Sequence, residues 1–152
     1  MTYNEILPLA EVKNYLRVDD DFTEDDTAIE RMVRSALGFI EQRTNHIFQQ
    51  RDNVEYFRNN RQYLDIYDHP LTYTGDLNKL TYPKEKTRFD VDTVTIDSVG
   101  YTDRASVPDD LIEAALQMIK VWYFEAEKQS NTTLVPDNVH QILAAYRRFT
   151  IG

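Results

Sequence analysis

The stretch Val107-Pro108-Asp109-Asp110-Leu111-Ile112-Glu113-Ala114-Ala115-Leu116-Gln117-Met118-Ile119-Lys120-Val121-Trp122-Tyr123 decides the architecture. Leu111, Ile112, Ala115, Leu116, Ile119, Trp122 and Tyr123 recur at helical spacing and cover well over half of the helix circumference. A helix that is apolar over so much of its surface has to be enclosed. It therefore belongs at the centre, and the rest of the chain must supply its cover. Pro108 suits a first turn, where its missing N–H costs nothing, and Asp109 and Asp110 suit the positive end of the helix dipole. The polar stripe is Asp110, Glu113, Gln117, Lys120 and Glu127. Phe124 falls on that stripe, which makes it a candidate for contact with another subunit.

The cover comes from both sides. Upstream, Pro8 with Leu9, Val12, Tyr15 and Leu16 reads as a short amphipathic helix ending near Arg17-Val18. A second helix is expected over about 25–45, with Ile29, Met32, Val33, Ala36, Ile40 and Ile47 at helical spacing on one face and Glu30, Arg34 and Glu41 on the other. Leu37 sits on that polar stripe and is a second subunit-contact candidate. Gly38 costs about 1 kcal/mol relative to Ala inside a helix, which the close approach of another backbone would explain. Downstream of a polar linker at 129–133, Pro136 opens a last short helix bearing Val139, Ile142, Leu143 and Tyr146. Arg147, Arg148, Phe149 and Ile151 then form a basic and apolar tail.

Between the helical ends the pattern changes to alternating Tyr, Val, Thr and Ile. Val54-Glu55-Tyr56-Phe57, Tyr63-Leu64-Asp65-Ile66-Tyr67 and Val91-Asp92-Thr93-Val94-Thr95-Ile96 read as strands. Asn59-Asn60 suits a tight hairpin turn between the first two. Residues 73–88 read as a loop with one weak strand near 77–82. Tyr56, Tyr63 and Tyr67 either fill the core of a small sheet or serve subunit contacts. The fold class is α+β, mainly α: a bundle of about four helices (about 8–47 and 107–149) with a β-hairpin or small antiparallel sheet inserted at about 48–106, all in one domain of residues 1–152.

Composition narrows the function. A chain of 152 residues, 41% hydrophobic and 28% charged, suits one globular domain. No apolar run approaches the ~18 residues of a membrane helix, and Met1-Thr2-Tyr3-Asn4-Glu5 lacks the features of a signal peptide, so folding in the cytosol is expected. There is no cysteine, which excludes disulfides, thiolate nucleophiles and cysteine-ligated metals. A net charge of -9 opposes gripping nucleic acid, although an acidic surface can line a channel through which DNA slides.

Catalytic templates fail: there is no phosphate-binding Gly-rich loop, no G-x-S-x-G and no H-E-x-x-H. His46, His69 and His140 are isolated and read as surface or helix-end residues. In the acidic run, Asp19, Asp21, Thr23, Asp25 and Glu30 match carboxylate or hydroxyl positions of a calcium loop, but Glu24 stands where that loop needs Gly. The run reads instead as a solvated loop in which Thr23 and Asp26 form a capping box. No catalytic residue, cofactor or metal is expected.

Leu9-Ala10-Glu11-Val12-Lys13-Asn14-Tyr15-Leu16-Arg17-Val18-Asp19, followed by Thr23-Glu24-Asp25-Asp26 and Ile29, resembles the start of the head-to-tail connector (adaptor, or head completion) proteins of tailed bacteriophages. Ala36, Ile40-Glu41 and Thr44 continue the likeness. Val94-Thr95-Ile96-Asp97-Ser98-Val99-Gly100-Tyr101, Val107-Pro108-Asp109-Asp110-Leu111, Ala114 and Trp122-Tyr123 are similar to the family's strand, Gly-Tyr turn and long helix. Val135-Pro136, Val139, Leu143 and Tyr146-Arg147 are similar to its last helix. The resemblance implies a non-enzymatic virion protein of the neck, made in the host cytoplasm. It also implies a homo-oligomeric ring, expected to be a dodecamer, that docks beneath the portal protein. Such a ring extends the channel for double-stranded DNA and offers a platform to a stopper or tail completion protein. On that reading Leu37, Phe124, Tyr56, Tyr63 and Tyr67 serve subunit contacts, and Arg147, Arg148, Phe149 and Ile151 dock on the portal. A small cellular protein-binding or regulatory module and a metal-dependent nuclease remain as alternatives.

Overall fold

The computed structural model describes residues 2–59, 61–74, 79–82, 86–126 and 135–146. Its helices are α1 (Tyr3–Ile6), α2 (Leu9–Leu16), α3 (Asp26–Thr44), α4 (Asp109–Ala126) and α5 (Asp137–Tyr146). Its strands are β1 (Arg51–Phe57), β2 (Leu64–Ile66), β3 (Leu71–Thr72), β4 (Lys79–Tyr82), β5 (Lys86–Phe89) and β6 (Thr93–Val99). The class is the expected α+β, mainly α.

As its apolar circumference demands, α4 lies at the centre. Leu111, Ala114, Ala115, Met118 and Ile119 are fully buried, and α2, α3 and α5 pack around them. The helices stop where the chain enters the left-handed region, α2 at Arg17 (φ 60) and α3 at Asn45 (φ 58), the latter a residue that tolerates this conformation. One short helix escapes periodicity altogether: α1 is a single turn, yet Ile6 and the following Leu7 are buried. Tyr3 donates from Oη to Glu41 Oε2 at 2.7 Å, while Glu41 Oε1 accepts the N–H groups of Phe48 (2.7 Å) and Gln49 (3.1 Å). Glu41, read as a solvated position, thus ties three segments together. The backbone neighbour expected at Gly38 is absent, since a Cβ there would meet nothing nearer than Tyr3 Oη at 4.0 Å.

The strands form two three-stranded antiparallel sheets, β1-β6-β3 and β2-β5-β4. In β6, Val94, Ile96 and Ser98 turn inward while Thr93, Thr95 and Asp97 face out, the period of two that identified the strand. The hairpin expected at Asn59-Asn60 does not form, because β1 and β2 belong to different sheets; Asn60 lies outside the described residues. Asn59 instead accepts the Asp65 N–H at Oδ1 (3.0 Å) and donates from Nδ2 to the Asp65 carbonyl (2.8 Å), so a side-chain amide pairs with the backbone of β2.

In the segment 73–88, read as a loop with one weak strand near 77–82, that strand appears as β4, and β5 appears where no strand was expected. The sequence Lys86-Thr87-Arg88 has no apolar alternation; the strand is held by its ladders to β2 and β4, by the fully buried Phe89 at its end and by an ion-pair cluster. Asp65 is only 4% exposed. It is paired across the ladder with Arg88, whose Nε lies 2.7 Å from Oδ1 and whose Nη2 lies 3.1 Å from Oδ2, with Lys86 Nζ at 3.6 Å.

Bundle and sheets meet at a seam. Gly100 has φ 117, and a Cβ there would lie 3.0 Å from Gln50 Cα and 3.2 Å from the Ile47 carbonyl, so only glycine fits. Its N–H donates to the Pro70 carbonyl (2.9 Å), and that of Tyr101 donates to Ile47 (3.0 Å).

Candidate functional site

The acidic loop before α3 closes on a cation from its own chain. Lys13, 3% exposed, donates from Nζ to the carbonyls of Asp20 (3.1 Å) and Phe22 (2.6 Å) and lies 3.0 Å from Asp26 Oδ1. The Asp26 contact has the geometry of an ion pair and not of an aligned hydrogen bond. Two carbonyls and a carboxylate are what a metal ion would take; here they surround an ammonium. The capping box expected of Thr23 and Asp26 is not formed: Asp25 occupies the N-cap position, and Thr23 contributes its carbonyl to the Asp26 N–H at 3.3 Å. Asp25 Oδ2 in turn accepts from Tyr123 Oη at 2.7 Å, which fastens the loop to α4. Sequence reading gave Lys13 no role, although Leu9, Lys13 and Leu16 share one helical stripe and a lysine on an apolar stripe was the available signal.

The histidines divide. His140 is exposed on α5, as expected. His46 follows the end of α3 but is buried, with Nδ1 2.7 Å from Tyr101 Oη, and His69 meets it edge-on at 4.9 Å between ring centroids. Tyr146 approaches the same imidazole edge-on at 5.6 Å. His46 and His69 therefore belong to the seam, where they fill space between bundle and sheets. Among the described residues no group of three or more His, Cys, Asp or Glu is arranged to hold a metal ion.

The residues singled out for subunit contacts fare unequally. Leu37 is fully buried in the core of its own subunit, so the apolar residue on a polar stripe is explained by packing inside the chain, under α1, and not by a free surface. Phe124 is 40% exposed and, with Tyr15, Leu16, Arg17 and Lys120, lines a shallow pocket between α2 and α4. Tyr56 is half-buried and donates to Asp68 Oδ2 at 2.9 Å; burial and the Asp68 charge push its phenol well above the ordinary tyrosine value. Arg88 lies over the Tyr63 ring at 4.7 Å and Lys86 over Tyr67 at 6.0 Å, so both rings serve the Asp65 cluster. Arg147, Arg148, Phe149 and Ile151 lie outside the described residues, as do Glu127 and the linker at 129–133.

Sequence reading missed a second surface. Met32, which packs against the core as assigned, also floors an apolar groove of about 520 Å³ with Ala28, Ser35, Phe39, Trp122 and Val135, and Arg31 stands at its edge. Two more aromatic side chains face solvent, Phe22 (40% exposed) and Phe57 (62% exposed).

Two solved structures share this fold. One is a chain from the virion of a native gene transfer agent particle, with a TM-score of 0.66 and 19% identity over 97% of this chain and 92% of that one. The other is a chain from the neck of an empty gene transfer agent particle, with a TM-score of 0.65, 17% identity and the same coverage. No curated protein sequence matches. The family pattern described as phage gp6-like head-tail connector protein matches residues 7–148, from two residues before α2 to two residues past α5. With the match spanning α2 to α5 and both sheets, this chain belongs to the phage gp6-like head-tail connector family, structural proteins of the head-to-tail interface of phage-like virions.

Proposed function

We propose that the chain is a non-catalytic, ring-forming subunit of the virion neck that docks beneath the portal, extends the DNA channel and offers a platform to a stopper or tail completion protein. The observation that carries this reading is the family match over residues 7–148. The physical chemistry supports it: α4 buried among α2, α3 and α5 makes each subunit a stiff wedge, and heterologous contacts between wedges close into a ring when the rotation per subunit divides the circle, twelvefold in this proposal. A net charge of -9 lets duplex DNA pass an acidic wall without stable contacts. The nuclease alternative needs acidic side chains grouped to hold a metal ion, and among the described residues no group of three or more His, Cys, Asp or Glu is so arranged.

Sedimentation tests the reading. Alone, the chain is expected to be monomeric or weakly associated; mixed with its portal, it should co-sediment as a ring. Removing residues 147–152 should abolish incorporation while leaving the melting temperature nearly intact. A stable dimer with and without portal contradicts the proposal.

A further inference from the structure

Two surfaces of this chain complement each other. The first is the loop around Phe22, whose ring projects among Asp19, Asp20, Asp21 and Glu24, all exposed. None of these four carboxylates enters an ion pair among the described residues. The loop is nonetheless held in shape, because Lys13 binds the carbonyls of Asp20 and Phe22 from inside. An exposed aromatic on a fixed backbone is preorganised for insertion, which lowers the entropic cost of binding.

The second surface is the groove floored by Met32, Phe39 and Trp122. Arg31 stands at its edge, and Arg43 lies 5.0 Å over the Phe39 ring. Neither arginine has a carboxylate partner among the described residues, in a chain where 26 acidic residues outnumber 17 basic ones. Cations left unpaired beside an apolar groove call for a partner that brings carboxylates around an apolar side chain.

Loop and groove reach α4 through different residues. Tyr123 reaches Asp25 at the loop, whereas Trp122 lines the groove beside Val135, just ahead of α5. Successive residues of a helix point about 100° apart. Loop and groove are thus separate patches that reach α4 about 100° apart, and in a ring one patch of each copy faces the other patch of the next.

We propose that the Phe22 loop of one subunit seats in the α3–α4 groove of the next, with carboxylates of the loop facing Arg31 and Arg43 across the contact. This rests on the ring reading above and names the surfaces that would join its members. Because the chain has no cysteine, Asp21→Cys with Ser35→Cys places the only two thiols beside the loop and the groove while keeping Phe22. In rings assembled on the portal, a short bismaleimide should convert this double variant into a ladder of dimers, trimers and larger species, and neither single variant should give one. Phe22→Ala should cut ring yield at least tenfold with an unchanged melting temperature. Rings that form but give no ladder, although both thiols react with a monofunctional maleimide, overturn the contact and leave the ring standing. A single dimer band overturns the head-to-tail geometry, and so does full ring yield from Phe22→Ala overturn the seat. If the unsubstituted chain forms no ring on the portal, the ring reading itself fails, and this contact with it.

Discussion

In the helical bundle, α4 is wrapped by apolar side chains from α2, α3 and α5, and polar residues enter mainly at the margins, as Glu41 and Lys13 do. The β2-β5-β4 sheet is built differently: between buried Leu64 and Ile66 it places Asp65, held by Arg88 and Lys86 and flanked by Tyr63 and Tyr67. The bundle tolerates apolar replacements that keep a side chain's volume. In the sheet, removal of one carboxylate strands two half-buried cations. Hydrophobic burial is spread over many contacts and tolerates revision, whereas a buried charge cluster is costly once a member is missing.

The sharpest way to break the comparison is Asp65→Ala. Loss of the carboxylate should cost about 3–5 kcal/mol, read from urea unfolding, with amide exchange in β2 and β5 accelerating before that of α4. A loss below about 1 kcal/mol would show that apolar contacts alone hold the sheet. Lys13→Met brings the same physics to the margin of the bundle. It removes two charge-assisted hydrogen bonds and should cost about 2–3 kcal/mol, while Thr23→Ala, with no capping role, should stay within about 0.5 kcal/mol. Calcium should leave the melting temperature unchanged, because the ammonium already fills the loop; a rise at micromolar calcium contradicts this, since a ligand bound by the native state alone must stabilise it.

Smaller effects sharpen the contrast. Gly38→Ala should stabilise the chain by about 0.5–1 kcal/mol, because the new methyl meets only open space near Tyr3 Oη. Alkaline unfolding follows from the tyrosines. Burial, then the bond to Glu41, raises the Tyr3 phenol above its ordinary 10.0; burial, then the Asp68 charge, does the same for Tyr56, and burial with Asp110 for Tyr146. A raised phenol favours the protonated form in the fold, so its contribution is complete below pH 10 and is lost as pH rises further and the unfolded chain ionises first. Stability should therefore fall above pH 10, and Tyr3→Phe should flatten the fall in a pH series of denaturation midpoints.

The same contrast explains what was legible. Three long helices and β6 announce themselves by period, because one face of each is apolar and the other polar. Strand β5 and the short helix α1 carry no such period: one is held by Asp65 and its own buried Phe89, the other by two buried residues and Tyr3. Leu37 misled for a related reason. The stripe model of α3 leaves out α1, which covers the flank where Leu37 and Glu41 lie. Of the candidate surfaces, Phe124 was visible as an apolar residue on a polar stripe. The groove was not, since Met32, Phe39 and Trp122 look like core residues until the packing of α3 against α4 leaves them at an opening.

Negative-stain electron microscopy of the purified chain mixed with its portal tests the central claim most directly. The account predicts annular density stacked beneath the portal, with an axial opening that admits a duplex. Portal particles without added density, beside free monomers or closed dimers of the chain, would contradict it.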